Sequence, residues 1–253
     1  MQIVSLAPSN TEILFALGLD EEIVGVTRFC DYPPKAAEKP IVGGWLDVDD
    51  NLVKSLKPDL ILTSTFLQKE IALRYKKMGF KVVHLDPVSL VGVMNSILNI
   101  GKAVERFGEA QRLVKEMGSK IDEIKDNSNR KFKPNVYAEE WHNPMYVCGN
   151  WIPKLVEIAG GISGLIKEGE RSRIVTLKEI SDYNPDIIVL TWCSFKNKSQ
   201  IGWVKSRKGW ENIFAVKSNR IYSFDDSLLN RPGPRLVDGL EELQRTINGN
   251  LLQ

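Results

Sequence analysis

The residues best suited to chemistry in this sequence are aromatic side chains that follow predicted strands. Four tryptophans stand at such positions: Trp45, Trp141, Trp151 and Trp192. In open parallel sheets, ligands bind beyond the carboxyl ends of the strands, and an indole offers a large, rigid, amphipathic surface to a flat ligand. One tryptophan beside a glycine is more often packing, but four in corresponding places favour a shared binding rim.

Polar residues at the same strand ends allow further chemistry. Arg231, set beside a proline, could clamp an anion through its guanidinium. Glu139 and Glu140 are consecutive, so on a strand at most one of them faces a given site. Cys193 with His142 and Glu140 leaves open an enzyme with a nucleophile and base. No nucleophile elbow or phosphate-binding glycine loop accompanies them, so we predict no catalytic residue and no enzyme.

Composition excludes several classes of protein. The 253 residues carry 34 Lys and Arg against 32 Asp and Glu, a net charge of +2, which argues against a nucleic-acid partner. Only two histidines and three widely spaced cysteines occur, so neither a metal site nor a disulfide framework is indicated. No apolar run approaches the length of a membrane span. We therefore predict a globular chain without a resident metal or cofactor.

An internal repeat organises the chain. Leu56–Thr63 is echoed by Tyr183–Thr191, and each copy is a Pro-Asp pair followed by an apolar run. Such runs are typical of strands buried on both faces of a parallel sheet, and strands alternate here with helical segments. The sequence predicts an α/β fold of two Rossmann-like lobes with mainly parallel sheets.

A helical segment separates the two copies of the repeat. Between Val91 and Ile124 there is no proline, and apolar residues recur every three or four positions, the pattern of amphipathic helices. We place a helix break at Gly108. The predicted domains are an N-terminal lobe (1–90), a helical connector with one long backbone helix (91–131) and a C-terminal lobe (132–253), with the ligand cleft between the lobes.

The amino terminus leaves the localisation open. The first predicted strand, Ile3–Leu6, begins almost at once, without the basic and apolar regions of a secretory signal. Two interpretations stay open: a cytosolic chain, or a chain whose leader has been removed.

Several of these segments carry a family resemblance. The stretches Val4–Glu12, Ala16–Gly18, Asp31–Pro34 and Leu56–Leu60, with Arg231–Arg235 near the end, resemble the cobalamin-binding type of ABC-transporter substrate-binding proteins. These belong to the helical-backbone class of periplasmic binding proteins, which also takes up siderophores and haem. The resemblance runs from about Gln2 to Leu243, nearly the whole chain.

The resemblance implies that Pro8, Tyr32 and the Trp45 loop face a corrin ring, and that aromatic residues of the second lobe close the other side. Combined with the strand-end residues, the predicted ligand-binding set is Pro8, Ser9, Asn10, Arg28, Tyr32, Trp45, Phe66, Trp141, Trp151, Trp192 and Arg231.

The resemblance also implies a membrane permease as partner, contacted through one surface acid in each lobe. Glu70 and Glu179 are the nearest matches, although Lys69 and Lys178 compete for the aligned positions. Ordinary solvated helix charges are an equal alternative for both acids.

We therefore expect a monomeric, extracytoplasmic receptor that binds a corrinoid and delivers it to an ABC permease. A siderophore- or haem-binding protein of the same class is the alternative. A cytosolic corrinoid-binding protein, or an enzyme using Cys193, His142 and Glu140, is the second alternative.

Overall fold

The computed structural model describes residues 1–128, 131–193 and 201–249. The chain divides into two compact units. Unit 1 comprises Met1–Pro87 and Val91–Glu116, and unit 2 comprises Val88–Leu90 and Met117–Gln253. Each unit contains one β-sheet and its helices, which confirms the α/β class.

Unit 1 is built on a four-stranded parallel sheet in the order β2-β1-β3-β4. The strands are β1 (Ile3–Ser5), β2 (Ile23–Val26), β3 (Leu60–Ser64) and β4 (Val82–Leu85). Strand β3 is buried along its whole length, as its apolar sequence predicts. The helices around the sheet are α1 (Pro8–Ala16), α2 (Asp50–Ser55) and α3 (Lys69–Lys77).

Unit 2 has a mixed five-stranded sheet in the order β7-β6-β5-β8-β9. The strands are β5 (Val136–His142), β6 (Met145–Val147), β7 (Arg173–Ile174), β8 (Ile187–Leu190) and β9 (Ile221–Ser223). Strands β5, β8 and β9 are parallel, whereas β6 and β7 pair antiparallel. The helices are α6 (Ile152–Ile158), α7 (Leu177–Tyr183), α8 (Ile201–Lys205), α9 (Phe214–Lys217), α10 (Asp226–Leu229) and α11 (Leu236–Gly249).

The antiparallel hairpin corrects one expectation about the second lobe. Glu139–His142, predicted to follow the first strand of that lobe, instead belongs to β5. The strand continues because β6 returns after the turn at Asn143–Pro144 and pairs with it. A register shift between Glu139 and Trp141 interrupts the regular alternation at this point.

The two copies of the repeat share one structural device. In unit 1 the backbone N–H of Gln2 donates to the Asp59 carboxylate at 2.7 Å, and in unit 2 the N–H of Asn135 donates to Asp186 at 2.8 Å. In the reverse direction, the backbone N–H of each aspartate donates to the carbonyl of the same partner residue. Each Pro-Asp pair thereby ties its strand to the start of the neighbouring parallel strand.

Two helices occupy the segment between the repeats, α4 (Leu90–Ala103) and α5 (Phe107–Asn127). The predicted break at Gly108 is wrong, because the chain turns at Glu105, which has a positive φ of 59°. Gly101 lets the helices approach, since a Cβ there would lie 2.4 Å from that of Ala110. The boundary between the units falls inside α5, after Glu116. The separate connector domain stays a prediction.

We expect Asp186→Ala to lower the free energy of unfolding by about 1–2 kcal/mol, because it removes a charged acceptor from a partly buried N–H. Asp59→Ala should cost less, since its bond is exposed to water. Urea denaturation measures both. Asp186→Asn, which keeps an acceptor oxygen, is the matched control; equal stability of Asp186→Ala and the wild-type chain would contradict the role of the repeat.

Candidate ligand-binding site

One buried side chain joins two loops and the end of a strand at the carboxyl end of the sheet in unit 1. Gln68 is fully buried; its amide group donates to the carbonyl oxygens of Leu6 at 2.7 Å and Trp45 at 2.9 Å. Its side-chain oxygen accepts the backbone N–H of Ser64 at 2.8 Å. Gln68 therefore fixes the loop after β1, the Trp45 turn and the end of β3 relative to one another.

The Trp45 turn depends on its two glycines. Gly43 has a φ of +129°, and a Cβ there would lie 2.4 Å from the carbonyl oxygen of Asp47. A Cβ on Gly44 would meet the side chains of Asp47 and Arg28. These two side chains form an exposed ion pair at 2.7 Å, so the predicted ligand residue Arg28 also braces the turn that carries the half-buried Trp45.

The other predicted ligand residues of unit 1 fall into two groups. Tyr32, on the loop after β2, exposes 44% of its surface, and Phe66, at the start of a short 3-10 helix after β3, exposes 51%. Pro8, Ser9 and Asn10 form the first turn of α1 and are buried. Among the described residues, the side-chain nitrogen of Asn10 has no hydrogen-bond partner. Exposed aromatic rings and one buried, unsatisfied amide thus lie on segments that follow strand ends.

In unit 2, four aromatic side chains form a cluster at the carboxyl ends of β5 and β8. We call Trp141, His142, Trp192 and Trp203 the tryptophan–histidine cluster. His142 stacks on Trp141 with ring centroids 4.7 Å apart and meets the edge of Trp192 at the same distance. Trp203, on α8, lies 5.8 Å from His142 and 6.3 Å from Trp192 and is 55% exposed. Buried Trp192 supports the more accessible rings.

A buried ion pair lies beneath this cluster. Arg207 donates to both carboxylate oxygens of Glu139 at 2.6 and 2.8 Å. The carboxylate also accepts the indole N–H of Trp192 and the hydroxyl of Tyr137, both at 2.9 Å. The guanidinium lies over the rings of Trp192 and Trp210, at 5.9 and 4.6 Å from their centroids. Glu139 is therefore a structural acceptor, rather than one of a pair of catalytic acids.

The remaining predicted ligand residues of unit 2 lie near α10. Trp151 is buried, and its indole N–H donates to the carbonyl of Leu229 at 2.8 Å, so its polar edge is committed inside the unit. Arg231 is half-buried and follows Asn230, whose side chain binds Thr191 after β8. The ligand roles of Trp151 and Arg231 stay predictions.

The neighbourhood of Cys193 does not have the electrostatics of a nucleophile. Burial, with the nearby Glu140 carboxylate, raises the pKa of the Cys193 thiol to about 12. Burial also raises the pKa of Glu140, which accepts a hydrogen bond from Ser172. A reactive cysteine needs a lowered pKa and an electropositive setting, so these groups are suited to packing rather than to nucleophilic attack.

The two acids predicted to contact a permease have different surroundings. Glu70 is exposed in the first turn of α3. Glu179 closes a capping box with Thr176 at the start of α7 and pairs with Arg173 at 2.7 Å. Hydrogen bonds from Thr176 and Arg173 lower the pKa of Glu179 to about 2. Glu179 therefore has a structural role besides the predicted one.

Sequence reasoning missed Gln68, Arg207, Trp203 and Trp210. The signal for the last three was present, because Trp203, Arg207 and Trp210 are spaced closely in one short segment. Gln68 carries no signal of its own, since its partners are distant in sequence.

In each of the two α/β units, aromatic side chains follow the carboxyl ends of parallel strands, where open α/β sheets bind their ligands. A family model described as periplasmic binding protein matches residues 3–228. The chain belongs to this family.

Similar proteins agree with this assignment. The uncharacterised ABC transporter substrate-binding lipoprotein YvrC of Bacillus subtilis is 35% identical, over 97% of this chain and 79% of its own length. The vitamin B12-binding protein of Vibrio campbellii is 22% identical, over 96% of this chain and 87% of its own. The structure of Staphylococcus aureus IsdE complexed with heme has a TM-score of 0.84 and 25% identity, covering 97% of this chain and 98% of that one.

These matches confirm the resemblance recognised in the sequence: the chain is a substrate-binding protein of the ABC-transporter class that includes cobalamin- and haem-binding members. The prediction of binding rather than catalysis is confirmed with it. Within the described ranges, no helix is long and apolar enough to cross a membrane.

We expect Cys193 to react with iodoacetamide at pH 8 on the order of 1,000-fold more slowly than an ordinary cysteine, because its raised pKa leaves little thiolate. Peptide mass spectrometry of the labelled chain measures the rate, and the urea-unfolded chain is the control. Rapid labelling of the folded chain at pH 8 would contradict this environment.

The lowered pKa of Glu179 predicts a pH-dependent contribution to stability. Its folded value of about 2 lies below the ordinary value of 4.5, so the contribution is complete above about pH 5 and is lost as the pH falls toward 2. Glu179→Gln keeps the capping geometry without the charge. The stability difference between the wild-type chain and this variant should shrink over that window in denaturation curves; a constant difference would argue against it.

Proposed function

We propose that this chain is the extracytoplasmic binding component of an ABC importer and that its ligand is a corrinoid. The observation that carries the proposal is the tryptophan–histidine cluster, in which Trp141, His142 and Trp203 keep part of their surface accessible above buried Trp192. Large flat ligands are bound by rigid aromatic surfaces with a few polar groups at the rim.

Unit 1 supports the same ligand class with a second set of aromatic residues. Tyr32, Trp45 and Phe66 stand on loops that follow the parallel strands or are tied to them by Gln68. Arg28 adds a guanidinium on the Trp45 turn. We assign Pro8, Ser9, Asn10, Arg28, Tyr32, Trp45 and Phe66 to ligand binding in unit 1. In unit 2 we assign Trp141, Trp151 and Arg231 to it, with His142 and Trp203 of the cluster, and we assign buried Trp192 the support of these rings.

The named relatives support the importer role. YvrC is an ABC transporter substrate-binding lipoprotein, and the Vibrio campbellii protein is a vitamin B12-binding protein. By this analogy the chain works outside the cytoplasm and delivers its ligand to a membrane permease. Glu70, exposed at the start of α3, and Glu179, at the start of α7, are the acids that we assign to that contact.

Haem is the second candidate ligand. IsdE is complexed with heme in its structure, and haem is also a flat macrocycle suited to aromatic surfaces. The same measurement separates the two candidates, because each ligand has its own visible absorbance.

Equilibrium dialysis against cyanocobalamin, with haemin and a ferric siderophore in parallel, tests the proposal. We expect cyanocobalamin to bind at micromolar concentration. Trp141→Ala and Trp203→Ala should each weaken binding by about tenfold, the value of one well-placed aromatic contact. Phe132→Ala removes an exposed ring before the amino end of β5 and serves as the matched control.

Retention of haemin without cyanocobalamin would replace the corrinoid by haem. Retention of none of the three probes would overturn the proposal. Equal losses in Phe132→Ala and the two tryptophan variants would show that the cluster is not the site.

A further inference from the structure

We propose that the Glu139–Arg207 ion pair is the positioning element of the tryptophan–histidine cluster. It holds the Trp192 ring in its orientation and the backbone of His142 in its position beside that ring, from which the cluster receives the ligand. This inference rests on the proposed function, in which the cluster contacts a flat macrocycle. Neither residue of the pair needs to touch that ligand.

Arg207 contacts Glu139, the backbone of His142 and the ring of Trp192. Its two terminal nitrogens bind the two oxygens of Glu139, and one of them also donates to the backbone carbonyl of His142 at 3.4 Å. Its guanidinium carbon lies 4.6 Å from the centroid of the Trp210 ring and 5.9 Å from that of the Trp192 ring. The bidentate fork and the ring contact together define one orientation of the guanidinium.

Glu139 transmits this orientation to Trp192. The carboxylate is fully buried, while the Arg207 side chain is 17% exposed. It accepts four hydrogen bonds: two from Arg207, one from the Trp192 indole and one from the Tyr137 hydroxyl. Rotation of the Trp192 ring about its side-chain bonds would break the indole N–H bond. The ring is therefore fixed by a directional bond rather than by packing alone.

Burying the charges of Glu139 and Arg207 costs free energy, so the pair is better explained by a role in positioning than by a contribution to stability. Taking two charges out of water is expensive, and apolar side chains of similar volume often give equal or greater stability. Apolar side chains, however, provide no directional contact to an indole N–H or to a carbonyl. What the ion pair adds is a defined ring orientation.

The double variant Glu139→Met with Arg207→Met tests this point. We expect it to stay folded with a lowered Tm, because the buried Trp192 indole N–H and Tyr137 hydroxyl lose their acceptor. Its near-ultraviolet circular dichroism spectrum should change because the indoles reorient. Its Kd for cyanocobalamin should rise by about tenfold. The control, Glu241→Met with Arg245→Met, removes an exposed pair of the same residue types on α11 and should leave spectrum and Kd unchanged.

Arg207→Lys provides a second variant that keeps the buried charge compensated. Lysine lacks the fork and the planar ring contact, so we expect a changed near-ultraviolet spectrum and a Kd raised several-fold, with a smaller loss of Tm than in Arg207→Met. If either folded variant keeps both the wild-type spectrum and the wild-type Kd, the positioning role is wrong.

Failure of the proposed function is distinguishable from failure of this inference. If the wild-type chain binds neither cyanocobalamin nor haemin, the ligand assignment fails. The spectrum of the unliganded variants still decides whether the ion pair orients the indoles.

Discussion

An aspartate carboxylate that accepts a backbone N–H from the start of the neighbouring strand sets the alignment of the central strands in both units. Asp59 binds the N–H of Gln2, and Asp186 binds that of Asn135. A parallel sheet buried on both faces has no solvent-facing side to specify its register, so a directional contact at the strand start is valuable. Because the joined strands are parallel, their carboxyl ends fall at one edge of each sheet. The loops that carry the aromatic residues begin at that edge.

The two Pro-Asp pairs also explain which strands and helix ends could be predicted from the sequence. The apolar runs after each Pro-Asp pair predicted β3 and β8 to within a residue of their observed ends. The residue before each proline is Lys57 or Asn184, and both have a positive φ near 45°, which ends the preceding helix. Proline disfavours the right-handed helical region at that position, and the structure places both residues in the left-handed one. Local sequence therefore specifies strand existence, helix ends and the repeat.

Long-range contacts decide what local sequence left open. Glu105 rather than Gly108 separates α4 from α5, because the tight Gly101–Ala110 approach places the turn earlier. The extension of β5 to His142 depends on a partner strand that returns after a turn. Trp151 matched the pattern of a rim residue as well as Trp141 does, yet its indole is buried against the carbonyl of Leu229. A position after a strand indicates the edge of the sheet at which a residue lies, but it does not indicate how deeply its side chain is buried.

The chemistry of two buried anchors shows how each unit presents its aromatic residues. In unit 1 the groups to be joined are two backbone carbonyls and one backbone N–H, so the anchor must both donate and accept; the Gln68 amide does both without bringing charge into the interior. In unit 2 the groups around Glu139 are all donors: a guanidinium, an indole N–H and a hydroxyl. An amide there would turn its own N–H groups toward a donor. Only an ionised carboxylate offers acceptors alone, and burying it requires the compensating charge of Arg207. Unit 1 therefore uses a neutral anchor and unit 2 uses an ion pair, because the groups that each anchor binds are different.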